Sequence, residues 1–120
     1  MNNIILSIGS NSKDKSAQID NALKWLSSFI KNYKCSSVYS TFPISGIGDS
    51  YLNCVVSGEV STDIISTTQI LKQYEQKCGR IKESKTSITI DIDIVIFNND
   101  IIKPKDYECD FFKRGYNEIV

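Results

Sequence analysis

Histidine is absent from the sequence. Its absence removes the commonest general base and the commonest zinc ligand together. Ser-His and Cys-His nucleophile schemes go with it. An excess of charge of either sign is also missing: 14 basic residues face 14 acidic ones. A nucleic-acid or membrane-surface role driven by overall charge is therefore excluded. No apolar run approaches the ~20 residues of a membrane span. The N-terminus Met1-Asn2-Asn3-Ile4 has no basic stretch ahead of its short apolar run, unlike a secretory signal. The expected location is the cytoplasm, with no nucleic-acid and no membrane partner. Cys35, Cys54, Cys78 and Cys109 form no Cys-x-x-Cys pair, so they read as reduced thiols and not as a zinc or thioredoxin-like site. Neither a P-loop nor a Gly-x-Gly-x-x-Gly fingerprint occurs.

What is present is ordinary for a globular protein: 120 residues, 41% hydrophobic and 23% charged, expected to form one domain over residues 1–120. Asn3 to Ile8 reads as a buried strand ended by Gly9-Ser10-Asn11. Apolar residues Ile19, Ala22, Leu23, Leu26, Phe29, Ile30 and Tyr33 recur at three and four, which predicts a helix from about Ser16 to Asn32. Cys35–Thr41 and Tyr51–Val60 read as strands, with a Gly- and Pro-containing loop between them. Ser61-Thr62-Asp63 offers a capping hydroxyl or carboxylate for a second helix, closed by Gly79. Arg80–Ser87 is polar and reads as a loop. Beyond the turn at Asn98-Asn99-Asp100 only a short helix or turns are expected.

The chain is organised around Thr89-Ile90-Asp91-Ile92-Asp93-Ile94-Val95-Ile96-Phe97. Alternation along a strand puts Ile88, Ile90, Ile92, Ile94 and Ile96 on one face and Asp91, Asp93, Val95 and Phe97 on the other. Asp91 and Asp93 then stand roughly 6–7 Å apart at Cα, from about 3.3 Å of rise per residue. That spacing lets them share one hard cation or hold two, and Mg²⁺ commonly completes such a shell with water and substrate phosphate. A solvated strand face would carry the same residues, so the motif alone is weak. The order strand, helix, strand, strand, helix, strand predicts an α+β, ferredoxin-like βαββαβ sandwich. Its antiparallel sheet has two helices on one face and the aspartates on the open face.

Several short motifs fall in order along this frame: Ile8-Gly9-Ser10-Asn11, Tyr39-Ser40-Thr41-Phe42-Pro43, Tyr51-Leu52-Asn53, Glu75 with Gly79-Arg80, Thr89 to Ile94, and Arg114-Gly115-Tyr116. Together they resemble the 6-hydroxymethyl-7,8-dihydropterin pyrophosphokinase family of folate biosynthesis, from about residue 4 to residue 116. The resemblance implies Mg²⁺-dependent transfer of pyrophosphate from ATP, with release of AMP and two Mg²⁺ ions. It implies metal binding by Asp91 and Asp93, with Arg80 a third catalytic residue. It implies a pterin pocket of Thr41, Phe42, Ile44, Tyr51, Asn53 and Tyr116. Nucleotide-side positions are Glu75, Arg80, Ile94 and Arg114. Small molecules are the implied partners, and the expected state is a monomer. The chain's two arginines, Arg80 and Arg114, both fall on family positions.

The departures lie on the phosphate side. The family usually carries Gly-Pro-Arg where this chain has Thr86-Ser87-Ile88, so a phosphate-binding arginine is missing. Lys82 or Lys85 can stand in as a point charge. Where the family commonly has Pro-His-Tyr, this chain reads Tyr107-Glu108-Cys109. Val120 falls short of the usual family end. A divergent member with a shortened C-terminus and reduced activity is expected. Two other readings stay open: a pterin- or nucleotide-binding protein of the same fold with little catalysis, and an interaction module whose acidic face is merely solvated.

Overall fold

A computed structural model describes residues 1–42, 46, 49–79 and 89–120. Among the described residues ten elements follow one another. They are β1 (Asn2–Ser10), α1 (Lys15–Phe29), β2 (Lys31–Cys35), β3 (Tyr39–Thr41), β4 (Tyr51–Val60), α2 (Ile64–Lys77), β5 (Asp91–Phe97), β6 (Asp100–Ile101), α3 (Pro104–Glu108) and α4 (Asp110–Ile119). The sheet runs β2-β4-β1-β5-β6, with β3 also on β4, and its pairings are antiparallel. With β2 and β3 taken as one interrupted strand, this is the ferredoxin-like arrangement that the element order predicts.

The main core lies between one sheet face and the first two helices. Ile4, Leu6, Ile8, Cys54, Val56, Ile90, Ile92 and Ile94 meet Ile19, Ala22 and Leu26 of α1 and Leu71 of α2. Asp63 caps α2 as its sequence suggests, its side chain accepting from Ser66 N at 2.7 Å. Among the described residues no helix is long and apolar enough to cross a membrane.

Four expectations need correction. First, α1 ends at Phe29, because Ile30 is extended and Asn32 takes a left-handed φ of 54°. Ile30 still reaches the core, whereas Tyr33 belongs to β2. Second, the predicted strand Cys35–Thr41 is broken: Cys35 is the last residue of β2, which starts at Lys31, and pairing resumes only at Tyr39–Thr41 as β3. Ser36 takes over the pairing at the break: its N–H donates to Val55 O and its Oγ accepts from Val55 N.

Third, the alternation of β5 fails at Val95. The register against β1 slips between Ile5 and Leu6, so Leu6 pairs with Ile94 and Ile5 with Ile96. The extra residue is a β-bulge. It turns Val95 and Ile96 together into a second apolar cluster and sends Phe97 to the main core. Fourth, the tail is more ordered than its sequence suggests. Its second helix, α4, covers part of the face expected to be open, with Phe112 fully buried against Val55, Val95 and Ile96. Gly115 permits this approach: a Cβ there would lie 2.6 Å from Val55 Cγ2 and 2.7 Å from Tyr39 Oη.

Candidate active site

The part of this second face beyond α4 carries the polar residues. Strand register fixes them in rows. Asn53 of β4, Gly9 of β1 and Asp91 of β5 are direct cross-strand neighbours. In the next row stand Val55, Ser7 and Asp93. Directly paired residues share a face, and neighbouring strands lie about 4.8 Å apart. An amide at one end of the first row therefore faces a carboxylate at the other. Gly9 has no side chain to fill the interval, and a Cβ there would come within 2.7 Å of Asn53 Nδ2.

Asn53 is 6% exposed and held at both ends of its amide. Its Nδ2 donates to Ile8 O at 3.4 Å, and its Oδ1 accepts from Thr41 Oγ1. Thr41 sits opposite Tyr51 on the same face. A primary amide has two donor hydrogens and two acceptor lone pairs, so a fixed Asn53 retains one of each for a flat heterocycle. Asp49 and Ser50, just ahead of β4, are held from the end of β1 and from α1. Asn11 Nδ2 donates to Asp49 O at 3.4 Å, and Lys15 Nζ donates to Ser50 O at 3.0 Å. Ser10 Oγ donates to Thr89 O at 2.6 Å, fixing the approach to β5.

The acidic end is compact. Asp93 lies within hydrogen-bonding reach of Asp91. Its Oδ1 also accepts from Lys103 Nζ at 2.7 Å. Burial pushes the Asp93 carboxyl up, but the bonds to Asp91 and Lys103 outweigh it, so its pKa falls below the ordinary value. Lys103 shows the mirror image: burial lowers it, and Asp93 more than compensates. Asp106, one turn into α3, is pushed up by burial and by the charge on Asp93. Among the described residues no group of three or more candidate ligands gathers around one point. Two carboxylates nevertheless fit Mg²⁺, which binds through one or two of them plus phosphate oxygens and water.

The other predicted site residues are placed as follows. Glu75 is 2% exposed; its Oε2 accepts from Ile92 N at 2.7 Å, and Lys72 lies 3.3 Å from its Oε1. It clamps β5 to α2 directly behind the aspartates. Ile94 is buried in the main core, on the face away from them. Phe42 is 90% exposed at the end of β3. Tyr116 stacks on Phe112 with ring centres 5.2 Å apart and meets Tyr107 edge-on. Arg114 lies over the Tyr39 ring at 4.7 Å. Burial pushes the Tyr39 hydroxyl up to about 12, so it remains a neutral donor, here to Phe111 O. Glu108 is exposed. Ile44, Arg80, Lys82, Lys85 and Ile88 lie outside the described residues.

The structure thus brings together Thr41, Tyr51, Asn53, Asp91 and Asp93 on one stretch of sheet. It draws Tyr116 and Arg114 into the packing of α4. Lys103 and Asp106 join the acidic end without having been anticipated. Their signal was Pro104, a proline at the first position of a helix that follows immediately on the edge strand.

Over residues 5–120 the chain matches the family described as 7,8-dihydro-6-hydroxymethylpterin-pyrophosphokinase, HPPK. It is 36% identical over 112 residues to the folic acid synthesis protein FOL1 of Dictyostelium discoideum, a match covering 89% of this chain and 17% of that protein. This chain therefore spans about a sixth of that relative's length. A match running nearly end to end, on a sheet that aligns an anchored amide with paired aspartates, shows that the chain belongs to the HPPK family.

Proposed function

We propose that this chain is a single pyrophosphokinase domain of folate biosynthesis. It would act as a cytoplasmic monomer and move the pyrophosphoryl group of ATP to 6-hydroxymethyl-7,8-dihydropterin. The hydroxymethyl oxygen attacks the β-phosphorus, the bond from that phosphorus to the α,β-bridging oxygen breaks, AMP departs, and the hydroxyl proton is released. The observation that carries this reading is the row Asn53–Gly9–Asp91. On this reading Asn53 is the heterocycle anchor and Asp91 the phosphate-metal anchor, and the register with Gly9 between them supports it.

Asn53, oriented by Thr41, reads the edge of the pterin, and Phe42 and Tyr51 offer apolar surface to its plane. Asp91 and Asp93 would hold the two Mg²⁺ ions that neutralise phosphate charge and align the displacement. Glu75 keeps β5, and hence both carboxylates, at a fixed height above the sheet by accepting from Ile92 N. Ile94, buried on the opposite face, takes no part; the nucleotide side falls to Arg80, Lys82 and Lys85, with Arg114 at its border. Its cations are fewer than the family pattern supplies, so turnover is slower than a full arginine set would give.

The test is AMP release from ATP with Mg²⁺ and 6-hydroxymethyl-7,8-dihydropterin. AMP and pterin diphosphate should appear in equal amounts. AMP formed equally without the pterin, or no AMP from folded protein, would overturn the reading.

A further inference from the structure

One cation at this site belongs to none of the motifs. Lys103 stands where β6 gives way to α3, and its ammonium nitrogen is 2.7 Å from Asp93 Oδ1. The Asp93 side chain is 14% exposed and that of Lys103 is 44% exposed. A largely buried carboxylate, with a second carboxylate in hydrogen-bonding reach, needs a neutralising charge. Lysine supplies it as a point charge on a flexible four-carbon stem. A divalent ion approaching the same oxygen meets the ammonium already there.

We propose that Lys103 is an exchangeable counter-ion of the acidic pair: it yields Asp93 to the divalent ion and turns to the phosphates of the nucleotide. The inference rests on the reading of Asp91 and Asp93 as metal ligands. A phosphate that shares a metal with Asp93 must lie close to Asp93. It therefore falls within the sweep of a stem whose nitrogen already touches that carboxylate. The exposed half of the side chain leaves it room to turn.

The consequence is thermodynamic. Metal binding alone must push Lys103 into solvent, next to a second positive charge. Metal binding with nucleotide gives Lys103 a new anionic partner. The two ligands therefore favour each other through Lys103, and this coupling is reciprocal. The exchange also supplies a phosphate-side cation in a chain that has isoleucine at position 88 where the family has arginine.

The experiment measures Mn²⁺ affinity of the full chain by the electron paramagnetic resonance of free Mn²⁺. It is done with and without α,β-methylene-ATP, for wild type, Lys103→Gln, Lys103→Arg and Asp93→Asn. In Lys103→Gln, Mn²⁺ alone should bind about 1.5- to fivefold more tightly, the range expected for a partly exposed ion pair. The factor by which the nucleotide analogue enhances Mn²⁺ binding should fall by at least that much. Lys103→Arg should keep the enhancement. An unchanged enhancement in Lys103→Gln overturns the exchange. So does an equal loss in both lysine variants, which would assign Lys103 a packing role. Mn²⁺ binding that is indifferent to Asp93→Asn would overturn the metal reading beneath the proposal.

Discussion

The two faces of β5 are made by the same seven residues and do opposite things. Ile92 and Ile94 point into the core under α1 and α2, together with Ile90 just ahead of the strand. Asp91 and Asp93 point the other way, into the polar end of the sheet. The face under the helices is closed mainly by apolar area, with Glu75 of α2 accepting from Ile92 N at 2.7 Å. The other face is divided: α4 seals Val55, Val95 and Ile96, and the Gly9 row with the Asp93 end of the Ser7 row carries the polar side chains of the candidate site. Core and candidate site are thus back to back, separated by one backbone, and substitutions on the two sides should be separable.

The largest effect is expected on the closed face. Ile92→Ala should destabilise the fold by about 2–5 kcal/mol, because a residue 1% exposed leaves a cavity under α2. Urea unfolding measures it, and the fraction still folded should retain near-normal turnover. On the polar face the sign of the pattern reverses. Asp91→Asn or Asp93→Asn should lower kcat about 10²–10³-fold while leaving the circular dichroism spectrum and cooperative melting intact. Wild-type turnover in either variant would break the comparison at its centre.

Gly115→Ala tests the sealed part of the second face. The new methyl group meets Val55, Tyr39 and Ser36 at under 3.0 Å, so α4 must lift, at a cost of about 1–3 kcal/mol. A melting temperature equal to wild type would show that α4 is not packed as described.

Gly9→Ala sharpens the boundary between the two uses of that face. Its methyl group displaces the buried Asn53 amide, held by Ile8 and Thr41, so stability should fall by about 1 kcal/mol. The KM for the pterin should rise about tenfold for one misplaced hydrogen bond. An unchanged KM would move the heterocycle away from Asn53.

The smallest effect concerns pH. Asp93 has a lowered pKa in the fold, so it binds its proton less readily there than in the unfolded chain, whose value is 3.8. Its stabilising contribution is complete above that value and is lost as the pH falls through the folded value. Acid unfolding of Asp93→Asn should therefore be shallower than wild type below pH 3.8. An equal slope would mean that the Lys103 ion pair adds nothing to stability.

The sequence by itself determined the strand-helix-strand-strand-helix-strand frame, most of the helix-facing core and the pairing of Asp91 with Asp93. All three follow from periodicity, and periodicity is a local property. Ile19, Ala22 and Leu26 announce a buried helical stripe whatever they pack against, and Asp63 caps α2 through a contact three residues away. The short motifs carried the family because each is a strict requirement at its position, although the reason for Gly9, a clash with Asn53 on another strand, is visible only in the fold.

Only the tertiary structure decided where alternation stops. The bulge at Val95 depends on the register with Ile5 and Leu6, some ninety residues earlier in sequence. No property of β5 alone selects it. The break between β2 and β3 likewise depends on Ser36 meeting Val55. The folding of the tail over the sheet needed Gly115 to find Tyr39 and Val55, so an unremarkable run of residues became a helix with a buried phenylalanine. Lys103 reached Asp93 by the same route. A lysine is uninformative in a sequence, because its meaning is set by whichever carboxylate the fold places within reach of its long side chain.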